Sequence, residues 1–385
     1  NTLVTPRPAR GAACQRMVAT RDAACMTTEG LPDNAEPPSA ASATAAASVP
    51  TPLATVAEGS AAAALDHMEA TLPAPPTPEP PSATVGVVPP PATATIAASM
   101  SPFERLEELY PLDAAEEAGS GNFGTVFKAV SRDGRLVAVK AFNQGVRLST
   151  MKAEAKYLSK VQRCDHIVGY HGMFTCNHPG GFTGYALVLD YVPGCDLFHL
   201  VRMAGEGKSV KEPILCERAA HTVLQGLLVA LAHVHGHGIV HRDVTPPNVL
   251  VRPDGEAVLA DFAVAASLRD GRRLRQRCGT PGFIAPEVIR REAYGCKVDV
   301  FSAGVVLYFT FAGSAPFFQA GDSVQDVLRK TLTNPLDLER NAWAEASDSC
   351  RSAVRLLTRR QQQHRCSAEE ALKHQWILNG SPETI

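Results

Sequence analysis

The first 102 residues of this 385-residue chain lack every aromatic residue and every lysine. All 14 Phe, all 7 Tyr and both Trp residues fall between Phe103 and Trp376. Ala, Pro, Thr and Ser dominate the aromatic-free part, which cannot bury enough apolar surface to offset about 1 to 2 kcal/mol of backbone entropy per residue. We therefore expect residues 1–100 to be disordered and a folded domain to span residues 103–379.

The chain also lacks an excess of charge of either sign, because 37 Lys and Arg residues nearly balance 39 Asp and Glu residues. A formal charge of -2 gives no electrostatic reason to expect nucleic acid or an anionic membrane as a main partner. The longest apolar run, residues 298–312, contains Asp299 and is shorter than the roughly 18 residues that a membrane helix needs. Small molecules or proteins are therefore the expected partners.

Closely spaced cysteines are absent, since the ten cysteines are scattered singly, without zinc-ligand spacing or a dense framework. This pattern is typical of reduced thiols in an intracellular protein, and we expect a cytoplasmic one. Between Asn1 and Arg21 there are four Arg and no acidic residue, as in the trailing part of an organelle transit peptide. A solvated tail is the simpler interpretation of that stretch.

After Phe103, short apolar runs punctuated by glycine give way to helical periodicity. We predict strands over residues 136–142 and 185–192, and helices over residues 151–161, 214–234 and 298–312. This order indicates a small strand-rich lobe followed by a larger helical lobe.

Residues 119–126 form a glycine-rich loop of the kind that lets backbone N–H groups approach a polyphosphate. In a dinucleotide-binding fold the third glycine opens a helix. Here residues 125–130 instead have the pattern of a strand, followed by a turn at Asp133 and Gly134. The strand-loop-strand order favours another class of nucleotide-binding protein.

Further motifs follow this loop in a fixed order: Val137-Ala138-Val139-Lys140, His241-Arg242-Asp243 with Asn248, Asp261-Phe262-Ala263, and Ala285-Pro286-Glu287. Together they resemble the signature set of eukaryotic protein kinases of the Ser/Thr type. The resemblance covers nearly all of residues 103–378, and residues 368–377 are most similar to the calcium/calmodulin-dependent group. It implies an α+β, two-lobed kinase fold, with a β-rich N-lobe at about 103–189 and a helical C-lobe at about 193–378. It also implies ATP and Mg²⁺ as cofactors and proteins as substrates.

The resemblance implies a role for each matching residue. Lys140 would bind the α and β phosphates and Glu154 would orient it, while Asp243 would accept the substrate hydroxyl proton or orient that hydroxyl. Asn248 and Asp261 would hold Mg²⁺ through oxygen atoms. A solvent-facing helix position for Glu154, and turn or cap positions for the two aspartates, are the simpler alternatives.

The resemblance implies three groups of ATP-binding residues. The phosphates would lie against Gly119, Ser120, Gly121, Asn122, Phe123 and Gly124, and the adenine pocket would be formed by Val126, Ala138, Leu189 and Leu250. The hinge contacts would come from Asp190 and Val192, and the ribose contact from Asp196. The apolar members could equally be core residues. Asp196 matches the acidic position that in basophilic kinases contacts the ribose and a substrate arginine, and it could equally be a helix N-cap. Structural roles are implied for Glu287 and Arg365 as a buried ion pair, and for Asp299 as the anchor of the catalytic-loop backbone.

The sequence departs from the family pattern in the residues that handle phosphate. Thr245 replaces the lysine that reaches the γ phosphate, and loss of one electrostatic stabiliser costs roughly 10² to 10³ in rate. Ala263 replaces a glycine, and its Cβ disfavours a positive φ. Gln276 occupies the usual activating phosphorylation position and cannot be phosphorylated.

Two further departures concern substrate choice. Pro247 and Phe309 stand at positions that are acidic in arginine-directed kinases, so a strong preference for multiply basic substrates is not expected. The activation segment, between Asp261 and Glu287, contains five arginines. These arginines are interpreted as a solvated face or as a docking surface.

We therefore predict a protein serine/threonine kinase. The alternative is a pseudokinase, a nucleotide-binding scaffold in which catalysis has decayed at Thr245 and Ala263. Retention of Lys140, Asp243 and Asp261 favours the enzyme. A small-molecule phosphotransferase of related fold is disfavoured by the motif that ends at Glu287.

Overall fold

A computed structural model describes the fold of this protein. The described residues are 105–111, 115–121, 123–177 and 183–380. The expected disordered segment at residues 1–100 lies outside this part of the chain, as do Asn122 and the predicted domain start at residue 103.

Five antiparallel strands form a sheet in the order β1-β2-β3-β5-β4. They are β1 (Glu116–Ser120), β2 (Gly124–Val130), β3 (Leu136–Phe142), β4 (Tyr170–Asn177) and β5 (Thr183–Asp190). Strand β3 has the predicted bounds, whereas β5 begins two residues before the predicted strand and ends two residues earlier. Just beyond it, Gly194 has φ +123, and a Cβ there would collide with the carbonyl of Val251, so the chain turns away from the sheet.

Two helices accompany the sheet, the short α1 (Leu106–Leu109) and the longer α2 (Leu148–Lys160). Helix α2 contacts β4 and buries an apolar face that includes Met151, Ala155 and Leu158. Glu154 lies on the same buried face, so its carboxylate requires a cationic or hydrogen-bonding partner. The helix starts three residues before the predicted one, and Val161 is its C-cap.

The remaining helices form a larger, mainly helical lobe. They are α3 (Leu197–Gly205), α4 (Glu217–Gly236), α5 (Pro286–Ile289), α6 (Lys297–Ala312), α7 (Val324–Thr333), α8 (Asp348–Leu357), α9 (Ala368–Ala371) and α10 (Gln375–Asn379). Helix α4 begins later than predicted, because the amides of Ile214 and Leu215 donate to the carbonyls of Phe311 and Thr310 in an extended segment.

Short paired strands flank two loops of the helical lobe. Strand β7 (Ile239–Val240) pairs with β10 (Ala266–Ser267), and β8 (Val249–Val251) lies between β6 (Cys195–Asp196) and β9 (Ala257–Leu259). The loop at residues 241–248 therefore starts and ends at a strand, as does the loop at residues 260–265. This arrangement fixes both loops at the junction of the two lobes.

The largest of three hydrophobic clusters among the described residues joins the lobes, because Leu158 and Leu187 belong to the same cluster as Leu227 and Val300. Helix α6 is buried on nearly all sides. A Cβ on its Gly304 would lie 2.7 Å from the Leu357 side chain, so this glycine permits close packing against α8. No helix within the described residues is long and apolar enough to span a membrane. The architecture is the α+β, two-lobed fold expected from the sequence.

Candidate active site

Three charged residues from distant parts of the chain meet between the lobes. The Lys140 ammonium on β3 lies 2.7 Å from Glu154 Oε1 on α2 and 2.8 Å from Asp261 Oδ1. The Lys140 and Glu154 side chains are buried, whereas that of Asp261 is about one-third exposed. Glu154 is therefore an internal partner of Lys140 and not a solvent-facing helix residue.

Burial and ion pairing oppose each other in this cluster. Burial acts to lower the pKa of Lys140, but the carboxylates of Asp261 and Glu154 outweigh it and raise that pKa above its ordinary value. Burial raises the pKa of Glu154 to about 7, against the attraction of Lys140. For Asp261, burial acts to raise the pKa, but the charge and hydrogen bond of Lys140 give a net lowering. Lys140 and Asp261 are thus held in their charged forms.

Asp243 lies in the loop at residues 241–248 and is held by two neighbours. The Thr280 hydroxyl and the Thr280 amide donate to Asp243 Oδ1 over 2.8 and 3.1 Å. Asn248 Nδ2 donates to the Asp243 carbonyl at 2.9 Å and to Oδ2 at 3.1 Å. Burial raises the pKa of Asp243 despite the Thr280 hydrogen bonds. This combination of a fixed position and a raised pKa suits a carboxylate that receives a proton.

The predicted metal ligands supply oxygen atoms of the kind that Mg²⁺ prefers. Asn248 uses its Nδ2 to hold Asp243, and its Oδ1 accepts no hydrogen bond from the described residues. Asp261 Oδ1 accepts from Lys140 and from the Ala263 amide, while its Oδ2 accepts no hydrogen bond from the described part of the chain. One oxygen of each side chain is therefore free for a hard cation, and the residues present fit Mg²⁺.

The backbone at Asp261 adopts the left-handed region, with φ +58. Phe262 is fully buried, and its ring meets that of His241 edge-on at 4.8 Å. Ala263 is not among the residues with positive φ, so the penalty expected for its Cβ does not arise in this conformation. The buried phenylalanine and the strained aspartate together hold the Asp261 carboxylate toward Lys140.

The glycine-rich loop links β1 to β2 above this cluster. A Cβ at Gly124 would collide with the backbone carbonyl of Ala141, so only glycine permits this approach of β2 to β3. A Cβ at Gly119 or Gly121 would meet no atom of the described residues within 4 Å, which leaves open space beside the loop backbone. Phe123 lies with its ring 5.9 Å from the Lys140 ammonium. Of the six predicted loop residues, Asn122 lies outside the described residues and Ser120 is an exposed end of β1.

The apolar residues predicted around the adenine ring come from both lobes. Val126 lies opposite Lys140 in the β2-β3 ladder, and Ala138 lies opposite Leu189 in the β3-β5 ladder. Leu250 on β8 is partly buried, as are Val126 and Ala138, whereas Leu189 is buried. The partly buried residues are available to line a cleft, and Leu189 is a core residue that closes its back.

The residues predicted to bind ATP at the hinge and at the ribose also have contacts within the protein. The Asp190 amide donates to the Gly169 carbonyl, and its carboxylate lies 2.7 Å from His171 Nε2, so any hinge contact of Asp190 must use its carbonyl. Val192 is partly buried in the connection between the lobes. Asp196 caps helix α3 by accepting from the His199 amide at 2.9 Å. The structure thus gives Asp196 the capping role that the sequence left open, and a ribose contact stays a prediction.

Two buried carboxylates organise the loops around the site. Asp299 on α6 accepts from the amides of His241 and Arg242, each at 2.8 Å, and from His235 at 2.9 Å. Glu287 and Arg365 form a buried ion pair with a 2.6 Å separation. Both contacts have the partners that the sequence resemblance implies.

The sequence did not reveal how the activation segment is held. Arg242 donates to the carbonyls of Val264 and Arg273 and, at 3.2 Å, to the Tyr294 hydroxyl. That hydroxyl in turn lies 2.8 Å from the Gln276 carbonyl. Arg242 is therefore satisfied by protein groups, and Tyr294 is a structural contact of the activation segment that no local motif signals.

The structure also shows the surroundings of two residues that depart from the family pattern. Thr245 is buried and lines a small cavity of about 10 Å³ beside Asp243 and Thr280. Phe309 stacks on the half-exposed Phe198 with ring centroids 6.0 Å apart, so the surface at this position is aromatic. An aromatic surface gives a substrate arginine no carboxylate to pair with.

Comparison with known proteins agrees with this geometry. The family model described as protein kinase domain matches residues 112–377. The chain is 32% identical over 273 residues to serine/threonine-protein kinase PEPKR2 of Arabidopsis thaliana, covering 69% of this chain and 53% of that protein. It is 30% identical over 268 residues to probable serine/threonine-protein kinase 2 of Plasmodium falciparum, covering 68% of this chain and 49% of the relative.

A third relative, calcium-dependent protein kinase 13 of Arabidopsis thaliana, is 28% identical over 287 residues, which cover 72% of this chain and 51% of the relative. The chain thus spans about half the length of the curated relatives that it matches. Protein kinases of this family use ATP with Mg²⁺. With a matching family model, the two-lobed fold and the charged cluster at Lys140, Glu154 and Asp261, the chain belongs to the protein kinase domain family.

Proposed function

We propose that this chain is a protein serine/threonine kinase that transfers the γ-phosphate of ATP to Ser or Thr hydroxyls of protein substrates. The observation that carries the proposal is the set of charged groups between the lobes. Lys140 is buried and paired with Glu154 and Asp261, while Asp243 is fixed by Thr280 and Asn248 in the neighbouring loop. Phosphoryl transfer requires mainly positioning and charge stabilisation, and these residues supply both.

In the proposed reaction, the substrate hydroxyl oxygen forms a bond to the γ phosphorus and the bond to the β–γ bridging oxygen breaks, which releases ADP. Asp243 orients the hydroxyl and receives its proton, and its raised pKa favours that transfer. Lys140 binds the α and β phosphates, and Glu154 keeps the ammonium in place. Asn248 and Asp261 would hold Mg²⁺, which would supply positive charge to neutralise the phosphate oxygens.

The first experiment measures transfer of labelled γ-phosphate from Mg·ATP by the purified chain to a generic library of Ser, Thr and Tyr peptides. We expect label on Ser and Thr peptides, and its loss by at least about 10² in the Asp243→Asn variant. Nucleotide binding is measured in parallel by titration. Tight binding of Mg·ATP without any transfer by the wild-type chain would contradict the proposal and support a pseudokinase.

We also propose that the protein acts in a reducing, intracellular compartment. The support is that all cysteines among the described residues are free thiols. Separation of cell fractions followed by detection of the chain tests this location. Recovery only from a secreted fraction would contradict it.

A further inference from the structure

A strongly basic surface flanks the site and has no role in the proposed chemistry. We define the arginine cluster as the five arginines of the activation segment and the two that follow helix α5. Its members are Arg269, Arg272, Arg273, Arg275, Arg277, Arg290 and Arg291. The acidic residues within residues 269–277 and 290–292 are only Asp270 and Glu292, so these two stretches carry a large excess of positive charge.

The two parts of the arginine cluster lie side by side. The Tyr294 amide donates to the Leu274 carbonyl at 3.1 Å, and Arg277 Nη2 donates to the Ile289 carbonyl at 2.8 Å. Burial and the nearby charge of Arg291 lower the pKa of Arg277, so the two guanidinium groups repel each other. The two segments that carry the cluster therefore lie against each other.

The arginines of the cluster are also not neutralised by ion pairs within the described part of the chain. Among the described residues, no carboxylate forms an ion pair with any of its seven arginines. The Nε atom of Arg277 is buried without a hydrogen-bond partner in the same part of the chain. Concentrated cations with unused donors attract carboxylates and phosphates from outside the protein.

The distance between the arginine cluster and Asp243 determines which residues of a bound substrate contact the cluster. Arg277 precedes Thr280 by three residues, and the Thr280 hydroxyl donates to Asp243. Three residues span at most about 10 Å, and Gly279, with φ +105, shortens this span. A peptide whose hydroxyl lies at Asp243 covers the same span in about three residues, since its backbone has the same reach.

We propose that the arginine cluster binds acidic side chains of the protein substrate, placed within about four residues of the acceptor hydroxyl. This inference rests on the proposed kinase function. Pro247 and Phe309 stand at two positions that are acidic in arginine-directed kinases, and Phe309 stacks on Phe198, so two carboxylates that would select basic substrates are missing. The cluster supplies selection of the opposite charge. Acidic substrates are also drawn toward the cleft by long-range attraction.

The test compares six Ser peptides that differ only near the acceptor: three Glu, three Gln or three Lys residues, placed either two to four residues before the serine or two to four residues after it. We expect kcat/KM for a Glu peptide to exceed that for its Gln counterpart by about tenfold on at least one side, from a few exposed ion pairs. The Lys peptides should be the poorest. The preference should weaken in high salt because exposed charges are screened.

A matched pair of variants separates local recognition from net charge. Arg275→Gln with Arg290→Gln removes two exposed cluster residues, whereas Arg132→Gln with Arg340→Gln removes two exposed arginines elsewhere. We expect the Glu-to-Gln ratio to fall about three- to tenfold in the cluster variant. The ratio should be unchanged in the control. An equal fall in both variants would overturn the proposal.

Binding of a fluorescent Glu peptide, measured by anisotropy, tests the surface without any transfer. Transfer to Gln and Glu peptides at equal rates would overturn this inference and leave the proposed function standing. The wild type could bind the Glu peptide in a salt-sensitive way, and the cluster variant could lose this binding, while no peptide is phosphorylated. This result would support the arginine cluster as a binding surface for acidic peptides and contradict the kinase function. Tighter binding of a single-stranded RNA oligomer than of the Glu peptide would identify a nucleic-acid surface and overturn the inference.

Discussion

Asp243 and Asp261 share one cleft, but their surroundings move their pKa values in opposite directions. Burial raises the pKa of Asp243, whereas the charge and hydrogen bond of Lys140 outweigh burial and lower that of Asp261. A carboxylate with a raised pKa is suited to proton transfer, and one held ionised is suited to a cation. The two residues should therefore fail in different ways when replaced.

The first prediction uses this difference. Asp243→Asn should reduce kcat by at least about 10² with little change in ATP affinity, because it alters proton handling and orientation. Asp261→Ala should weaken Mg·ATP binding and turnover together. Calorimetric titration of ATP at several Mg²⁺ concentrations measures the affinities and steady-state assays measure kcat, with the exposed Asp165→Asn as control. Unchanged metal dependence in Asp261→Ala would remove Asp261 from the metal site.

The second prediction concerns the missing cation at Thr245. Thr245→Lys should raise kcat, by at most the roughly 10³ that one electrostatic stabiliser supplies, because the lysine restores a positive charge near the γ phosphate. Thr245→Met is the matched control, since it adds length without charge. Steady-state rates at saturating Mg·ATP make the comparison. A similar rise in both variants would show that size, not charge, limits the wild-type rate.

At the scale of elements, the activation segment is held by hydrogen bonds to protein groups. Arg242 bonds to two carbonyls of the segment and to Tyr294, and Tyr294 also bonds to the Arg273 and Gln276 carbonyls. Gln276 itself has no hydroxyl to phosphorylate. Hydrogen bonds between protein groups thus order the segment at the position where a phosphate usually does so.

The third prediction is that activity does not depend on phosphorylation of this segment. Phosphatase treatment should leave the rate unchanged, whereas Tyr294→Phe should lower both the rate and the stability, the latter by about 1 to 2 kcal/mol. Tyr308→Phe is the control, since Tyr308 is partly buried and stacks on Trp343 away from the segment. Loss of activity after phosphatase treatment and in Ser267→Ala would instead identify Ser267 as a switch.

Elements and motifs differ in how far the sequence predicts them. The fold class is confirmed, and β3 and α6 have almost the predicted bounds because their apolar runs are long. The pairing of Lys140 with Glu154 was predicted from a motif and a helix face. The Tyr294 contacts and the late start of α4 were missed, because both depend on backbone groups brought together only by tertiary packing.

At the scale of the whole molecule, helix α6 connects the core to the catalytic loop. It is buried on nearly all sides, and its Asp299 holds two loop amides and His235. A buried carboxylate is tolerated only when its hydrogen bonds are satisfied. The geometry of the loop and the stability of the fold therefore depend on the same side chain.

The fourth prediction separates these effects through pH. Burial acts to raise the pKa of Asp299, but the hydrogen bond and charge of His235, with the loop contacts, lower it below its ordinary value of 3.8. Because the folded pKa is the lower one, Asp299 contributes stability fully above pH 3.8, and this contribution is lost as pH falls through the folded pKa. Asp299→Asn should destabilise the protein by about 3 to 5 kcal/mol at neutral pH.

The measurement is the free energy of unfolding in urea for the wild type and for Asp299→Asn, at neutral pH and at decreasing acid pH. The difference between the two proteins should shrink as the wild-type carboxylate becomes protonated, since the variant has no such group to titrate. Asp165→Asn, at an exposed position, should show little difference at any pH. If the difference in free energy of unfolding stays constant down to the acid transition, Asp299 acts through the geometry of its contacts and not through its charge.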